Sequence, residues 1–326
     1  MPNFEVSQSR VRAWRRCRRQ YGYDFVQKIQ PKRPRIQLIR GTIIGECLDE
    51  ATKRKPNIES VLKPYTVKYK NLFAEEREVY GTLLDDVRGI VGRYRRLYQN
   101  DGLKYTKYGS EVELKFDLTK GITFSAHLDK YPQDSQGRWW VQDHKTHKKI
   151  PTEEDRFSDI QLTLYHWAAP LAGLPQPIGV MWDYIRTKMP TVPEVLVKGG
   201  LTRRKDIDTD YETYMGAIKE NGLNPGDYAE ILGRLKAEGQ SQFFHRVWLP
   251  KPNPNMVSTL VQELILTALD MKAHHEDVQP RTMTTFCKSC KFFTLCQAEL
   301  RGLDTEFVRK SEYEPKPEDD DAEEEE

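Results

Sequence analysis

No stretch of this chain approaches the ~18 consecutive apolar residues that cross a bilayer. Its opening, MPNFEVSQSRVRAW, lacks the apolar segment of a secretion signal. No membrane partner is expected, and the expected location is cytoplasmic (host cytoplasm if the chain is phage-encoded). The loop G-x-x-x-x-G-K-[ST] is absent, so no nucleotide-driven motor is expected. Any unwinding then falls to another protein. No internal repeat is visible. Cysteine is scarce. Five residues in a chain of 326 is an odd count, which argues for metal ligation or free thiols over a disulfide framework.

Net charge is also low, +2, but this conceals an asymmetry. From Glu312 onward there are ten acidic residues and one Lys; the rest holds 50 basic against 39 acidic residues, a net of +11. A basic body suits a polyanion such as nucleic acid. The end, EDDDAEEEE, reads as a disordered acidic tail over 311–326. It is either a solubilising end or a phosphate mimic that competes for the basic groove or binds a partner.

The basic residues are concentrated early. Ser7 and Ser9 are N-cap candidates for a helix running to about Phe25. Arg10, Arg12, Arg15, Arg16, Arg18 and Arg19 lie on it, interleaved with Trp14, Tyr21 and Tyr23. Six arginines in ten residues point to phosphate contact. PKRPRIQLIR then reads as a basic loop, and GTIIGECLDEATKR as a helix. Leu84, Val87, Val91, Tyr94 and Tyr98 have helical spacing. Strands are expected over Tyr108–Leu118, Ile122–Tyr131 and Trp139–Lys145, the last two joined by the turn PQDSQG. A helix over 155–170 and a strand over Ile178–Ile185 follow. Residues 199–242 read as an inserted pair of helices, with Arg203 and Arg204 in its basic run. Val257–Ala273 is a final amphipathic helix.

Two constellations carry chemistry. The first is four thiols far apart in sequence: Cys17 in the Arg-rich helix, and Cys287, Cys290 and Cys296 about 270 residues later. Four thiolates close a tetrahedral metal site or hold a cubane cluster, and either would clasp the two ends of the chain. Cys47, between apolar helix positions, reads as a buried hydrophobe. The second is carboxylates with a lysine. Asp129 ends one strand; Asp143 and Lys145 share a face of the next, and His144 points to the other. Adjacent carboxylates repel unless a divalent cation neutralises them, and oxygen ligands suit Mg²⁺ or Mn²⁺. The backbone carbonyl of His144 can add a ligand. Lys145 can stabilise phosphate charge. Gln161 and Tyr165, at i and i+4, share a helix face. Glu113 is either a further site carboxylate or one half of a solvated ion pair.

These residues, in this order, resemble the PD-(D/E)XK nuclease superfamily, specifically its RecB-type branch with an iron–sulfur cluster, near CRISPR-associated and phage exonucleases. The similarity runs from Ser7 to Cys296. Ser7, Cys17 and Tyr21 match the N-terminal signature. Asp129, then Asp143 with Lys145, match the catalytic motif, and Gln161 with Tyr165 the Gln-x-x-x-Tyr motif. The resemblance implies an α/β, restriction-endonuclease-like core of order αβββαβ, its mixed sheet flanked by helices. Helical N-terminal, inserted and C-terminal elements would be clasped by a [4Fe–4S] cluster on Cys17, Cys287, Cys290 and Cys296. It implies one nuclease domain over 1–310, with 1–40 carrying the first cluster cysteine, 41–188 the catalytic core, 199–242 the insertion and 255–300 the last helix and cysteine triplet.

The implied activity is a metal-dependent DNA exonuclease, acting on single-stranded DNA in recombination, replication or repair, with a helicase or recombination protein as a possible partner. One departure stands out. Relatives carry a His on the first core helix where this chain has Gly45; Glu46 or Glu50 are the nearby substitutes. That gap motivates the alternative of a catalytically weak DNA-binding or interaction subunit with a structural metal clasp, a helicase partner or a CRISPR adaptation-like component.

Overall fold

The computed structural model describes residues 3–53, 55–105, 108, 110–239 and 242–317. The N-terminal part holds β1 (Phe4–Val6), α1 (Gln8–Arg16), α2 (Arg18–Tyr21), a π-helical turn over Gly22–Val26 and β2 (Ile29–Pro31). Four helices follow: α3 (Ile36–Ala51), α4 (Ile58–Lys70), α5 (Ala74–Tyr80) and α6 (Leu83–Tyr98). The core continues with β3 (Ser110–Thr119), β4 (Ile122–Lys130), β5 (Trp140–His147), α7 (Glu153–Phe157), α8 (Gln161–Leu171) and β6 (Gly179–Arg186). Then come α9 (Tyr211–Glu220), α10 (Ala229–Glu238), β7 (Phe244–Pro250), α11 (Pro254–His274), α12 (Phe293–Leu300), α13 (Thr305–Glu312) and β8 (Tyr313–Pro315).

The sheet is mixed. β3 lies antiparallel along one edge of β4. The other edge of β4 takes β1 in parallel at its start and β5 at its end, where the pairing is Lys130 with Gln142. β5 and β6 run parallel from Trp140/Gly179 to His147/Arg186, and β7 closes antiparallel on β6. Strand alternation sorts the two faces. Val141, Val180, Trp182 and Tyr184 join the core built with α1, α8 and α11. Ile185 turns the other way, onto α3, α4 and α6 through Ile43, Leu48, Leu62, Val87 and Val91. Helices therefore cover both faces of a mixed α/β sheet, which fits a restriction-endonuclease-like core. The insertion has its own small core around Leu201, Tyr214, Ile218 and Leu232.

Several elements depart from expectation. Ser7 does cap the first helix, accepting from the Arg10 N–H at 3.3 Å. The helix then stops at Arg16, because Cys17 is extended (φ −162°, ψ 110°). The aromatic spacing continues across this break, so periodicity does not mark it. The helix expected from Gly41 begins at Ile36, inside the basic segment. Residues 311–317, read as the start of the tail, end α13 and pair as β8 with β2. Tyr313 anchors them by packing on Phe292. The acidic run from 318 lies outside the described residues.

The β4–β5 turn is held by one carboxylate. Asp134 accepts from the N–H groups of Gln136 (2.9 Å) and Arg138 (3.0 Å), from Arg138 Nε (2.7 Å) and from Trp140 Nε1 (3.1 Å). Burial pushes its pKa up, but these donors outweigh burial and hold it at about 2. Asp134→Ala is expected to cost about 1–3 kcal/mol at neutral pH. In the unfolded chain Asp titrates near ~3.9. The contribution is therefore complete above that value and fades as pH falls towards about 2. Urea unfolding at pH 7 and at pH 3 checks this: the gap between wild type and variant narrows in acid.

Candidate active site

Pairing between β4 and β5 is limited to the 130/142 position, and the strands diverge beyond it. Asp129 occupies the divergence. Its Oδ2 accepts from the backbone N–H of His144 at 2.6 Å and lies 3.7 Å from His144 Nδ1. Burial raises its pKa, yet the hydrogen bonds from His144 and the charge of Lys145 prevail and hold it below the ordinary carboxylate range. Asp143 is 1% exposed. Its Oδ2 sits 3.0 Å from Lys145 Nζ. Lys145 Nζ also donates to Gln161 Oε1 at 2.9 Å, and Gln161 Nε2 donates to Tyr165 OH at 3.1 Å. Gln161 opens α8, where its N–H donates to Asp159 Oδ1 at 3.0 Å. A continuous buried line thus runs from Asp143 through Lys145 and Gln161 to Tyr165.

His144 faces the opposite side of the sheet. Its Nε2 lies 3.3 Å from Tyr94 OH and 3.5 Å from Asp183 Oδ2. Asp183, fully buried on β6, also accepts from Gln142 Nε2 (3.1 Å) and Arg246 (2.8 Å) and from Tyr94 OH. Arg246 in turn reaches Asp101 at 2.6 Å and stacks over Tyr98. Sequence reasoning missed this network. Its one signal was an acidic residue inside the otherwise apolar IGVMWDYI. Asp49 was missed too. It ion-pairs with the fully buried Lys130. Burial raises its pKa while Lys130 and His144 pull it back, and Asp129 adds to the rise. Asp49 therefore brings α3 to the carboxylate cluster, one turn after Gly45. At Gly45 an added Cβ would meet nothing within 4 Å. Glu46 accepts from Tyr65 OH at 2.8 Å, and Glu50 is tied to Lys53 and the Asn57 N–H. Glu113 is exposed, opposite His127 in the β3–β4 register.

Cys17, Cys287, Cys290 and Cys296 line one solvent-open hollow. Donors point at three of the sulfurs: Thr282 N–H to Cys17 (3.5 Å), Thr284 N–H to Cys287 (3.5 Å) and Arg281 Nε to Cys296 (3.3 Å). All are free thiols. Four thiols, three of them with N–H groups directed at them, are the donor type of a metal–sulfur centre. Among the described residues, no three His, Cys, Asp or Glu side chains gather as a group for a single ion. Cys47 is buried apart, and burial pushes its thiol to about 12.

Most of the N-terminal arginines are committed internally. Arg10 donates to the Glu5 carbonyl, and Arg15 to Thr267 Oγ1. Arg16 stacks over Phe286, Arg18 pairs with Asp270 at 2.5 Å, and Arg19 pairs with Glu299. Arg12 is half-buried. In the insertion, Arg203 stacks over Tyr228, while Arg204 pairs with Asp206 at 2.8 Å.

The family model of the PD-(D/E)XK nuclease superfamily matches residues 5–297. The chain belongs to this superfamily. Nuclease chemistry on nucleic acid follows at that level, and nucleases of the superfamily typically use Mg²⁺ or Mn²⁺. Among solved structures, the crystal structure of SSO0001 aligns with 90% of this chain and 86% of its own at 14% identity and a TM-score of 0.36. No curated protein matches. Among the described residues, no helix is long and apolar enough to cross a membrane.

Proposed function

We propose that this PD-(D/E)XK protein is a metal-dependent DNA exonuclease acting on single-stranded DNA in recombination, replication or repair, in the cytoplasm and alongside a helicase or recombination protein. The observation that carries the reading is the buried line Asp143–Lys145–Gln161–Tyr165, set beside Asp129 where β4 and β5 part. Hard oxygen donors there fit Mg²⁺ or Mn²⁺, held by the Asp129 and Asp143 carboxylates and the His144 carbonyl. When bound, such an ion supplies the positive charge that an attacking water and the phosphodiester need. Lys145 keeps an ammonium against the reacting phosphate. Gln161 fixes that ammonium, and Tyr165 fixes Gln161. In the hydrolysis, water oxygen bonds to phosphorus, the bridging P–O bond breaks, and the water's proton ends on the leaving alcohol. Glu113 is assigned no step. Arg12 and Arg203 are assigned phosphate contact, and Arg204 would reach a phosphate only by giving up Asp206. Arg10, Arg15, Arg16, Arg18 and Arg19 act first as scaffold.

Cys17, Cys287, Cys290 and Cys296 would hold a [4Fe–4S] cluster that ties the chain ends together. A brown protein with an absorbance band near ~400 nm supports iron–sulfur, and a colourless zinc protein refutes it. The exonuclease assignment is tested with end-labelled linear single strands and covalently closed single-stranded circles, each with Mn²⁺ and Mg²⁺. Loss of the linear strand alone is expected; cut circles would make the protein an endonuclease.

A further inference from the structure

The segment between β6 and α9 carries a tight hairpin that the reaction does not use. Val195 bridges to Leu201, Thr202 N–H donates to the Glu194 carbonyl at 2.9 Å, and Leu196 N–H donates to the Gly200 carbonyl at 2.8 Å. Gly199 and Gly200, both at φ 84°, reverse the chain. A Cβ at Gly200 would stand 2.9 Å from Tyr228 OH, the same hydroxyl that accepts from Leu201 N–H. The tip is apolar and outward: Val192, Val195 and Leu196 are exposed, and Val197 is wholly so.

This tip is rigidly mounted. Arg186 pairs with Asp208 through two bonds of 2.6 and 2.7 Å, Lys188 joins Asp208 at 2.8 Å, and buried Arg93 pairs with Asp210. The mount is also placed by the catalytic strands. The insertion leaves the sheet at Arg186, in register with His147, and Thr187 N–H donates to the His147 carbonyl at 2.9 Å. Lys145 is two residues before His147 on the same strand.

We propose that the Val195–Val197 tip is a wedge that enters the end of a nucleic-acid duplex and parts its terminal base pairs, delivering one strand to the cleft. The proposal rests on the nuclease reading. Charge favours nucleic acid over a protein partner as the occupant. Lys198, Arg203 (stacked over Tyr228) and Lys205 flank the tip with no carboxylate within ion-pair distance among the described residues, against the single hairpin carboxylate of Glu194, once Arg204 is paired with Asp206 and Asp208 with Arg186 and Lys188. An apolar wedge on a cationic base is the arrangement that unstacks bases while neutralising phosphates.

The test uses the full chain and a variant with Val195→Ser, Leu196→Ser and Val197→Ser. A blunt duplex carries 2-aminopurine at its terminal pair, and Ca²⁺ replaces the catalytic ion. The wild type is expected to raise the fluorescence, and the variant to lose roughly fivefold or more of that rise. With Mn²⁺, duplex degradation falls in parallel, while cleavage of the pre-formed single strand stays within about twofold. Equal fluorescence and equal duplex rates in both proteins overturn the wedge. So does a wild-type dimer that the substitutions convert to a monomer with unchanged duplex rates, which would make the tip a self-association surface. The fluorescence signal needs no cleavage. A wild type that opens duplex ends but cuts nothing would sink the nuclease reading and leave the wedge standing.

Discussion

Lys145→Met is expected to lower the cleavage rate by a factor on the order of 10³ while leaving DNA affinity within a few-fold. Met keeps the length and removes the ammonium. The amine is placed by Asp143 at 3.0 Å and Gln161 at 2.9 Å, in a pocket where its side chain is 8% exposed. A charge so fixed acts on a phosphate without reorganising, which is why its loss appears in the rate rather than in binding. The substitution has a second consequence. Asp143 loses a buried cation, and breaking such a pair costs about 3–5 kcal/mol. A divalent cation bound at Asp143 restores part of that. Thermal unfolding of the variant is therefore expected to show a larger Mn²⁺-induced stabilisation than the wild type does. Cleavage within tenfold of wild type would remove Lys145 from the reaction.

Glu299→Ala is expected to be the most destabilising single change in the terminal clasp. Its carboxylate accepts from Arg19, from Tyr23 OH at 2.7 Å and from Arg281 at 2.5 Å, with Arg309 at 3.4 Å. Three guanidinium groups from both ends of the chain converge on one anion that is 14% exposed. Removing it leaves them to repel one another and without their shared acceptor, at a cost of about 1–3 kcal/mol. Burial raises the Glu299 pKa, but Arg19 and Tyr23 overcome it and the net shift is downward. A depressed carboxylate stabilises above its unfolded value near ~4.3 and loses that contribution as pH falls through the folded one. The wild-type clasp is thus expected to loosen in acid, and the variant to lack that step. Because Arg281 also donates to Cys296, the variant is expected to expose the four thiols to a thiol reagent faster than wild type does. Unchanged unfolding and unchanged thiol reactivity would contradict the clasp.

How much was legible follows from what each element depends on. The β3–β4–β5–α8–β6 order was readable because strand alternation and one sharp turn are local. The same alternation put Asp143 and Lys145 on the α8 face and His144 on the other. Gln161 and Tyr165 were readable because i and i+4 share a helix face. What was hidden is tertiary. The break at Cys17 comes within an unbroken aromatic pattern, and Arg19 N–H there bonds to the Pro280 carbonyl, more than 250 residues on. β1, β2 and β8 are three residues each, too short for any period. β7, with Arg246, is defined by its partner β6 rather than by its own pattern. Arg18 and Arg19 look like part of a phosphate surface in sequence, because nothing local discloses that Asp270 and Glu299 await them. Asp49 was passed over because the departure at Gly45 drew attention to Glu46 and Glu50, whose carboxylates are engaged elsewhere.

The measurement that bears most directly on the account is degradation of a labelled linear single strand by the full-length protein and by Asp143→Asn, each with Mn²⁺ and with a chelator. The account predicts degradation by the wild type with Mn²⁺, none with chelator, and none by the variant, although both proteins retain the strand in a binding assay. Degradation by Asp143→Asn at the wild-type rate, or wild-type cleavage that survives the chelator, would contradict it.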